Sequence, residues 1–180
     1  MFKDFEEYLN KIEPCKLKIN ILHDLGYKNK SSEFDYVNPI NLYQNSLIVG
    51  DNRQLTYFQH YILGLGLDNT KFFNLDFKPN NLKNSLITLQ RLNESVMKTI
   101  TDMCIDGVIE IDDYIKERKA TKHVVVIRGI DIIPDEILEK LDFIFKLSRC
   151  TGTSIFTLKE KSLNHSIFEN CQHLECIIER

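Results

Sequence analysis

Short runs rich in apolar residues, separated by helical patterns, organise most of this chain. Five such runs predict β-strands, at residues 46–49, 71–75, 123–127, 153–158 and 174–178. Because these runs do not alternate apolar with polar residues, they favour strands buried on both faces, as in a parallel sheet. Helical patterns between the strands indicate crossover connections. The pattern therefore predicts an α/β fold with an open, mostly parallel, doubly wound sheet and helices on both faces.

Three helices are indicated between these strands. Apolar residues recur at helical spacing from 55 to 65, after a polar loop at 50–54. A second helix ends near Gly107, and its apolar stripe consists of Leu92, Val96, Ile100 and Met103. Pro134, followed by two acids, fits the first turn of a third helix. The buried face of that helix is predicted to be Ile137, Leu141, Ile144 and Phe145.

Residues 1–36 are interpreted as a lead-in to a main domain at 37–180. Residues 1–14 have the pattern of an amphipathic helix and are too acidic for a secretory signal. The polar stretch at 26–36 is the clearest linker. We therefore expect an N-terminal helix and linker that pack on a single domain, which fits a length of 180 residues.

Composition narrows the class of protein further. The 23 Lys and Arg against 26 Asp and Glu give a net charge of -3, so the chain lacks the basic field typical of nucleic-acid binders, and no nucleic-acid partner is expected. No apolar run approaches the roughly 18 residues of a membrane-spanning helix. The five cysteines form an odd set inside mostly apolar segments, which favours reduced core thiols in a cytosolic setting.

The residues at the ends of the predicted strands carry a family resemblance. The segments that match are NSLIVG at 45–50, FFNLDFKP at 72–79, the stretch at 91–133 with Asp113 and Tyr114, and the stretch at 146–180 with Arg149 and Gly152. With these segments the chain resembles the FtsK/SpoIIIE class of P-loop ATPases, from about Ser46 to its end. The resemblance implies a RecA-like P-loop NTPase fold.

The residues that perform the family's chemistry are missing from this chain. A P-loop follows the pattern G-x-x-x-x-G-K-[ST], in which backbone N–H groups and the lysine hold phosphates and the hydroxyl holds Mg²⁺. Aligned on Gly50, the second glycine, the lysine and the hydroxyl become Leu55, Thr56 and Tyr57. The degenerate nucleotide-site positions are Gly50, Asp51, Asn52, Arg53, Gln54, Leu55, Thr56, Tyr57, Arg128 and Gly129.

The second nucleotide motif is reversed in charge. The family has Asp-Glu after an apolar strand, the first to hold Mg²⁺ and the second to activate water. Here Arg128 and Gly129 follow that strand, and a guanidinium repels a metal ion. Lys159 and Glu160 likewise replace a Thr-Gln pair of the family. We therefore expect a pseudo-ATPase that is not an enzyme and has no cofactor.

Two alternatives describe what Arg128 does in the empty site. The favoured one is that it pairs with an acid such as Asp51 or Glu160 and fills the pocket, because an unpaired buried charge is costly. The other is that the loop at 50–54 binds an anion at a helix N-terminus, with Arg53 and Arg128 near one another.

Two further groups have a functional and a structural interpretation. Asp76 and Lys78 keep the family's D-x-K after a strand, and we expect them to cap the strand end and pair locally. The spacing of Cys171, His173 and Cys176 is not a standard zinc motif, and no metal is expected there.

Within its class, the chain looks most like the degenerate terminal domains of type VIIb secretion coupling proteins. That resemblance implies a domain at the cytoplasmic face of the bacterial membrane that contacts secretion substrates, their chaperone-like partners, or the active ATPase domains preceding it, without inserting into the membrane. The alternative is a residual ATPase or DNA-translocating module that completes its site with a neighbouring subunit. A third possibility is a purely architectural domain of a hexamer.

Overall fold

The computed structural model describes residues 16–23, 45–64, 66–160 and 172–179, the first and last of these ranges by their backbone. The strands are β1 Lys16–His23, β2 Asn45–Val49, β3 Thr70–Asp76, β4 Lys122–Arg128, β5 Thr153–Lys159 and β6 Gln172–Glu179. The helices are α1 Asn52–Leu63, α2 Leu82–Asp106, α3 Ile111–Lys116 and α4 Asp135–Leu147, with short 3-10 turns at Pro79–Asn81, Ile130–Ile132 and Arg149–Thr151.

The six strands form one sheet in the order β1-β6-β2-β5-β4-β3. Five of them, β6 to β3 in that order, pair in parallel, and β1 is antiparallel to β6 at the edge. One strand, β5, lies between β2 and β4. The predicted α/β class with an open, mostly parallel sheet is confirmed, and the strand order is compatible with a RecA-like fold.

Apolar side chains on both faces of the sheet are buried under helices. On β4, Val124 and Val126 point to one face and pack with Leu55, Phe58 and Ile62 of α1. Alternate residues of the same strand, Val125 and Ile127, pack with α2 and α4 on the other face. Burial on both faces explains why β4 has no alternating pattern in the sequence.

The helices that start outside the degenerate site lie close to where their patterns predict them. Gly107 ends α2 in the left-handed conformation, with φ 67°, which glycine adopts without steric cost. Pro134 precedes the first residue of α4, and Leu141, Ile144 and Phe145 of that helix are buried. The start of the first helix is wrong, because α1 begins at Asn52 and not at 55.

The N-terminal segment contributes a strand that its interpretation as helix and linker leaves out. β1 pairs with β6 over most of its length, with a register shift between Ile21 and His23. Residues 16–23 therefore belong to the same sheet as the main domain. The predicted helix at 1–14 and linker at 26–36 lie outside the described residues, and the boundary at 36 stays a prediction.

Candidate functional site

The candidate site is a pocket of about 310 Å³ at the carboxyl edge of the parallel strands. In open α/β sheets this edge is where ligands bind. Its lining residues are Leu55, Asp76, Lys78, Arg128, Gly129, Asp131, Leu158, Lys159 and Glu160. Of the ten predicted nucleotide-site positions, three line this pocket, namely Leu55, Arg128 and Gly129.

The connection from β2 to α1 is too short to be a phosphate loop. Only Gly50 and Asp51 separate the strand from the helix, and the Gly50 N–H donates to the Lys159 carbonyl at 3.3 Å. Asp51 Oδ1 accepts from the Gln54 N–H at 2.7 Å, while Gln54 Oε1 accepts from the Asp51 N–H at 2.9 Å. This capping box uses the backbone groups at the helix start and places a carboxylate there. The predicted loop at 50–54 is thus wrong.

The guanidinium of Arg128 is bound to three neutral side chains of α1. It donates to Asn52 Oδ1 at 2.6 Å, to Thr56 Oγ1 at 2.9 Å and to Gln59 Oε1 at 3.1 Å. These acceptors are spaced at i, i+4 and i+7, so they lie along one side of the helix. Arg128 is 8% exposed. The side chain therefore fastens the end of β4 to the first turns of α1.

The favoured expectation for Arg128, an ion pair with Asp51 or Glu160, is wrong. Arg128 takes part in none of the ion pairs formed between described residues. Asp51 is engaged in the capping box, and Glu160 is exposed. The physical reason is that a guanidinium has five N–H donors, which neutral oxygens from one helix can satisfy without a carboxylate. Because Arg128 lies against α1, it also leaves the pocket open.

The resemblance to the FtsK/SpoIIIE class aligns Gly129 with a catalytic acid, and the backbone conformation at this residue favours glycine. Its φ is 73°, in the left-handed region that L side chains rarely adopt. A Cβ there would lie 3.3 Å from the carbonyl carbon of Phe77. A glutamate at this position would therefore be strained as well as crowded, so the local backbone does not favour a water-activating side chain.

The other predicted positions serve the core or the surface of α1. Leu55 is buried in the cluster beneath the helix, and Thr56 Oγ1 both accepts from Arg128 and donates to the Asn52 carbonyl at 2.7 Å. Tyr57 is half-buried on the same helix. Arg53 is exposed and is not among the residues that line the pocket.

Gln59 and Asn74 belong to the site although the motif alignment does not select them. Gln59 is 7% exposed, and its Nε2 donates to Asn74 Oδ1 at 2.8 Å, while its Oε1 accepts from Arg128. Gln59 thus connects α1 to both β3 and β4. A buried glutamine on the apolar side of a helix, at i+7 from Asn52, is the sequence signal that points to it.

Four of the remaining charged residues of the pocket form two local ion pairs. Lys78 Nζ lies 3.7 Å from Asp76 Oδ2, and the Lys78 N–H donates to Asp76 Oδ1 at 3.4 Å, which confirms the local role expected for this pair. Lys159, whose side chain is 10% exposed, pairs with Asp131 at 2.5 Å. These contacts leave the pocket with three acids and three bases in its lining, which is unlike the strongly basic cradle of a triphosphate.

A second buried basic side chain lies near the opposite end of β4. His123 is fully buried, with Ser95 Oγ at 2.7 Å from its Nε2 and Thr153 Oγ1 at 3.4 Å from its Nδ1. Burial is the main cause that lowers the pKa of His123, to about 4. The imidazole is therefore neutral near pH 7, and its two nitrogens contact hydroxyl groups that can donate or accept.

No group of three or more His, Cys, Asp or Glu side chains within the described ranges could hold a metal ion. Cys171, His173 and Cys176 lie outside the residues whose side chains are described. Among the helices of these ranges, none has the length and apolar character needed to cross a membrane.

Neither a protein-family model nor a curated protein sequence matches the chain.

Proposed function

We propose that this chain is a pseudo-ATPase domain that binds protein partners and neither binds nor hydrolyses nucleotide. The observation that carries the proposal is the position of Arg128. Its guanidinium occupies the end of β4, where hydrolysis requires a carboxylate for Mg²⁺, and three hydrogen bonds to α1 hold it there.

The phosphate side of the site supports the same conclusion. A phosphate loop offers free backbone N–H groups at a helix start, together with a lysine. Here the N–H groups of Asp51 and Gln54 are used in a capping box, and the Asp51 carboxylate repels a phosphate. Thr56, at the position of the lysine, is bound to Arg128. Binding of a triphosphate would have to break both arrangements.

The biological setting follows from the resemblance to the FtsK/SpoIIIE class. The chain looks most like the C-terminal ATPase-like domain of EssC, the coupling protein of type VIIb secretion. We therefore place it at the cytoplasmic face of a bacterial membrane, as part of a membrane-anchored protein. Its partners would be secretion substrates or their chaperone-like proteins, and the ATPase domains that precede it in the parent chain.

Phosphate release tests the enzymatic half of this proposal. We expect no release above the protein-free background, either from the wild type or from Arg128→Glu, because the variant still lacks the phosphate lysine. Steady turnover by the assembled wild-type protein would instead support a residual ATPase or DNA translocase that completes its site with a neighbouring subunit. Calorimetric titration with secreted proteins encoded beside its gene tests the docking half, and saturable binding is expected.

A further inference from the structure

The most exposed large apolar residues of the described chain lie where α2 turns into α3. Ile105 is 77% exposed and Ile109 is 87% exposed, whereas the other exposed large apolar residues are at 38% to 43%. We call residues 102–117 the elbow; it contains the last turn of α2, the connection and α3 up to its C-cap. Their exposure makes the elbow the first place to look for a contact surface among the described residues.

The elbow holds these two isoleucines on a rigid frame. Gly107 reverses the chain in the left-handed conformation, and the Val108 N–H donates to the Met103 carbonyl at 3.0 Å. Tyr114 Oη donates to Asp106 Oδ2 at 2.7 Å. Beneath the surface a small core is formed by Met103, Ile111, Tyr114 and Ile115. Binding at this surface would therefore cost little ordering of the backbone.

Beside Ile109 there is an open depression of about 540 Å³. Val108 and Ile109 give it an apolar wall, and three acids, Glu110, Asp113 and Glu117, line it together with one base, Lys116. An apolar wall next to carboxylates matches the long side chain of lysine or arginine, in which an aliphatic stem carries a cationic head.

The charge of the elbow defines the partner further. Residues 102–117 contain six acids, at 102, 106, 110, 112, 113 and 117, against one base, Lys116. Two of the acids pair with lysines outside this range, Asp102 with Lys98 at 2.7 Å and Glu117 with Lys119 at 3.1 Å. Counted together with Lys98 and Lys119, the elbow has six acids and three lysines, a net charge of -3. A second copy of this surface would be repelled by its own charge, so a basic partner is favoured.

We propose that the elbow is a docking surface for a basic amphipathic segment of a partner protein. The apolar face of that segment covers Ile105 and Ile109, and its lysine or arginine stems lie along Val108, with their cationic heads at Glu110 and Asp113. Apolar contact supplies the affinity, and the acids select the sign of the partner's charge.

Docking at the elbow is independent of whether the pocket binds or hydrolyses nucleotide. α2 starts soon after the carboxyl end of β3 and runs for 25 residues, so the elbow lies towards the opposite edge of the sheet from the pocket. An active ATPase could carry the same surface. Failure of peptide binding at the elbow would therefore leave the pseudo-ATPase proposal intact, and binding of nucleotide would leave the elbow proposal intact.

The test is an NMR titration of the ¹⁵N-labelled chain with two model peptides. One is an amphipathic peptide of leucine and lysine, and the other has glutamate in place of every lysine. We expect shift changes confined to the elbow with the basic peptide and no saturable binding of the acidic one. Ile105→Ser with Ile109→Ser should weaken the basic peptide about tenfold through lost apolar contact. Glu110→Lys with Asp113→Lys should weaken it at least as much.

Ile87→Ser is the matched control, since Ile87 is an exposed apolar residue of α2 far from the elbow, and it should leave binding unchanged. Circular dichroism verifies that each variant is folded. The proposal is overturned if both peptides bind equally, if the shift changes lie elsewhere, or if Ile87→Ser weakens binding as much as the elbow variants. Self-association that Ile109→Ser abolishes, measured by sedimentation, would assign the surface to a second copy instead.

Discussion

Strand β4 carries a buried basic side chain near each of its ends, and the two are accommodated in opposite ways. At the carboxyl end, Arg128 keeps its charge and donates to three neutral oxygens of α1. Near the amino end, His123 is kept neutral by burial and contacts two hydroxyl groups. An arginine cannot lose its proton at accessible pH, so it requires acceptors, whereas a histidine can avoid the cost of a buried charge by titrating.

The largest expected effect is a loss of stability in acid that comes from His123. Its pKa is lowered from 6.5 to about 4, so below pH 6.5 the unfolded state binds a proton that the folded state does not. The contribution of neutral His123 to the free energy of unfolding is fully present above pH 6.5. It decreases as the pH falls and is lost near pH 4. The total contribution is about 3 kcal/mol. Urea unfolding at a series of pH values measures it.

His123→Asn supplies the control for that pH series. The asparagine can still contact the Ser95 and Thr153 hydroxyls but does not titrate, so the free energy of unfolding should depend less on pH between 6.5 and 4. His60 remains in the variant, and its pKa is also lowered, by burial and by Arg128, so a weaker slope of the same sign should persist. An unchanged slope in His123→Asn would contradict the assignment.

Arg128→Ala tests the other end of the strand. The change removes three hydrogen bonds, leaves Gln59 Oε1 without its donor in a buried position, and opens a cavity between β4 and α1. We expect a loss of about 2–3 kcal/mol in the free energy of unfolding. Arg53→Ala, at an exposed position of α1, should cost less than about 0.5 kcal/mol. Equal costs for the two variants would show that Arg128 does not fasten α1 to the sheet.

Gly129→Ala examines the turn that follows Arg128. A left-handed φ and a Cβ placed 3.3 Å from the Phe77 carbonyl carbon predict a loss of about 1–2 kcal/mol. The control is Gly66→Ala, because a Cβ at Gly66 meets no atom within 4 Å. Thermal unfolding of both variants is the measurement. A Gly129→Ala protein as stable as the wild type would mean that the turn relaxes freely and could accept other residues.

Asp51→Ala has the smallest expected effect. Loss of the hydrogen bond from the Gln54 N–H to the Asp51 carboxylate should destabilise the protein by about 1 kcal/mol. Asp68→Ala is a suitable comparison, because it removes an exposed ion pair with Arg118, which should cost less. The reverse order in urea unfolding would indicate that the cap is not formed in solution.

Most of the sheet could be predicted from the sequence, because burial on both faces gives β2, β4 and β5 short apolar runs. The exception is β1, whose residues Leu17, Ile19 and Ile21 alternate with polar ones, a period-2 signal of a half-buried strand that the interpretation of residues 1–36 leaves unused. The start of α1 is predicted three residues late because residues 52–54 are all polar, so the apolar spacing becomes visible only from Leu55. The Asp51 and Gln54 spacing of a capping box is itself visible in the sequence.

The site was only partly predictable. The charge reversal at Arg128 is evident from one position, but its partners depend on which side of α1 faces the end of β4. The three acceptors of Arg128, namely Asn52, Thr56 and Gln59, are visible in the sequence as polar residues at i, i+4 and i+7. The sequence does not show that this side of the helix faces Arg128, so an acid is an equally good partner on sequence grounds. The packing of α1 on the sheet therefore decides which side chains accept hydrogen bonds from Arg128.

A crystal structure determined from crystals grown with Mg²⁺ and ATP is the most direct test of the pseudo-ATPase account. We predict that the guanidinium of Arg128 keeps its contacts with Asn52, Thr56 and Gln59, and that no triphosphate or metal ion is bound over the start of α1. A triphosphate seated between Gly50 and Thr56, with Mg²⁺ coordinated near the end of β4, would contradict it.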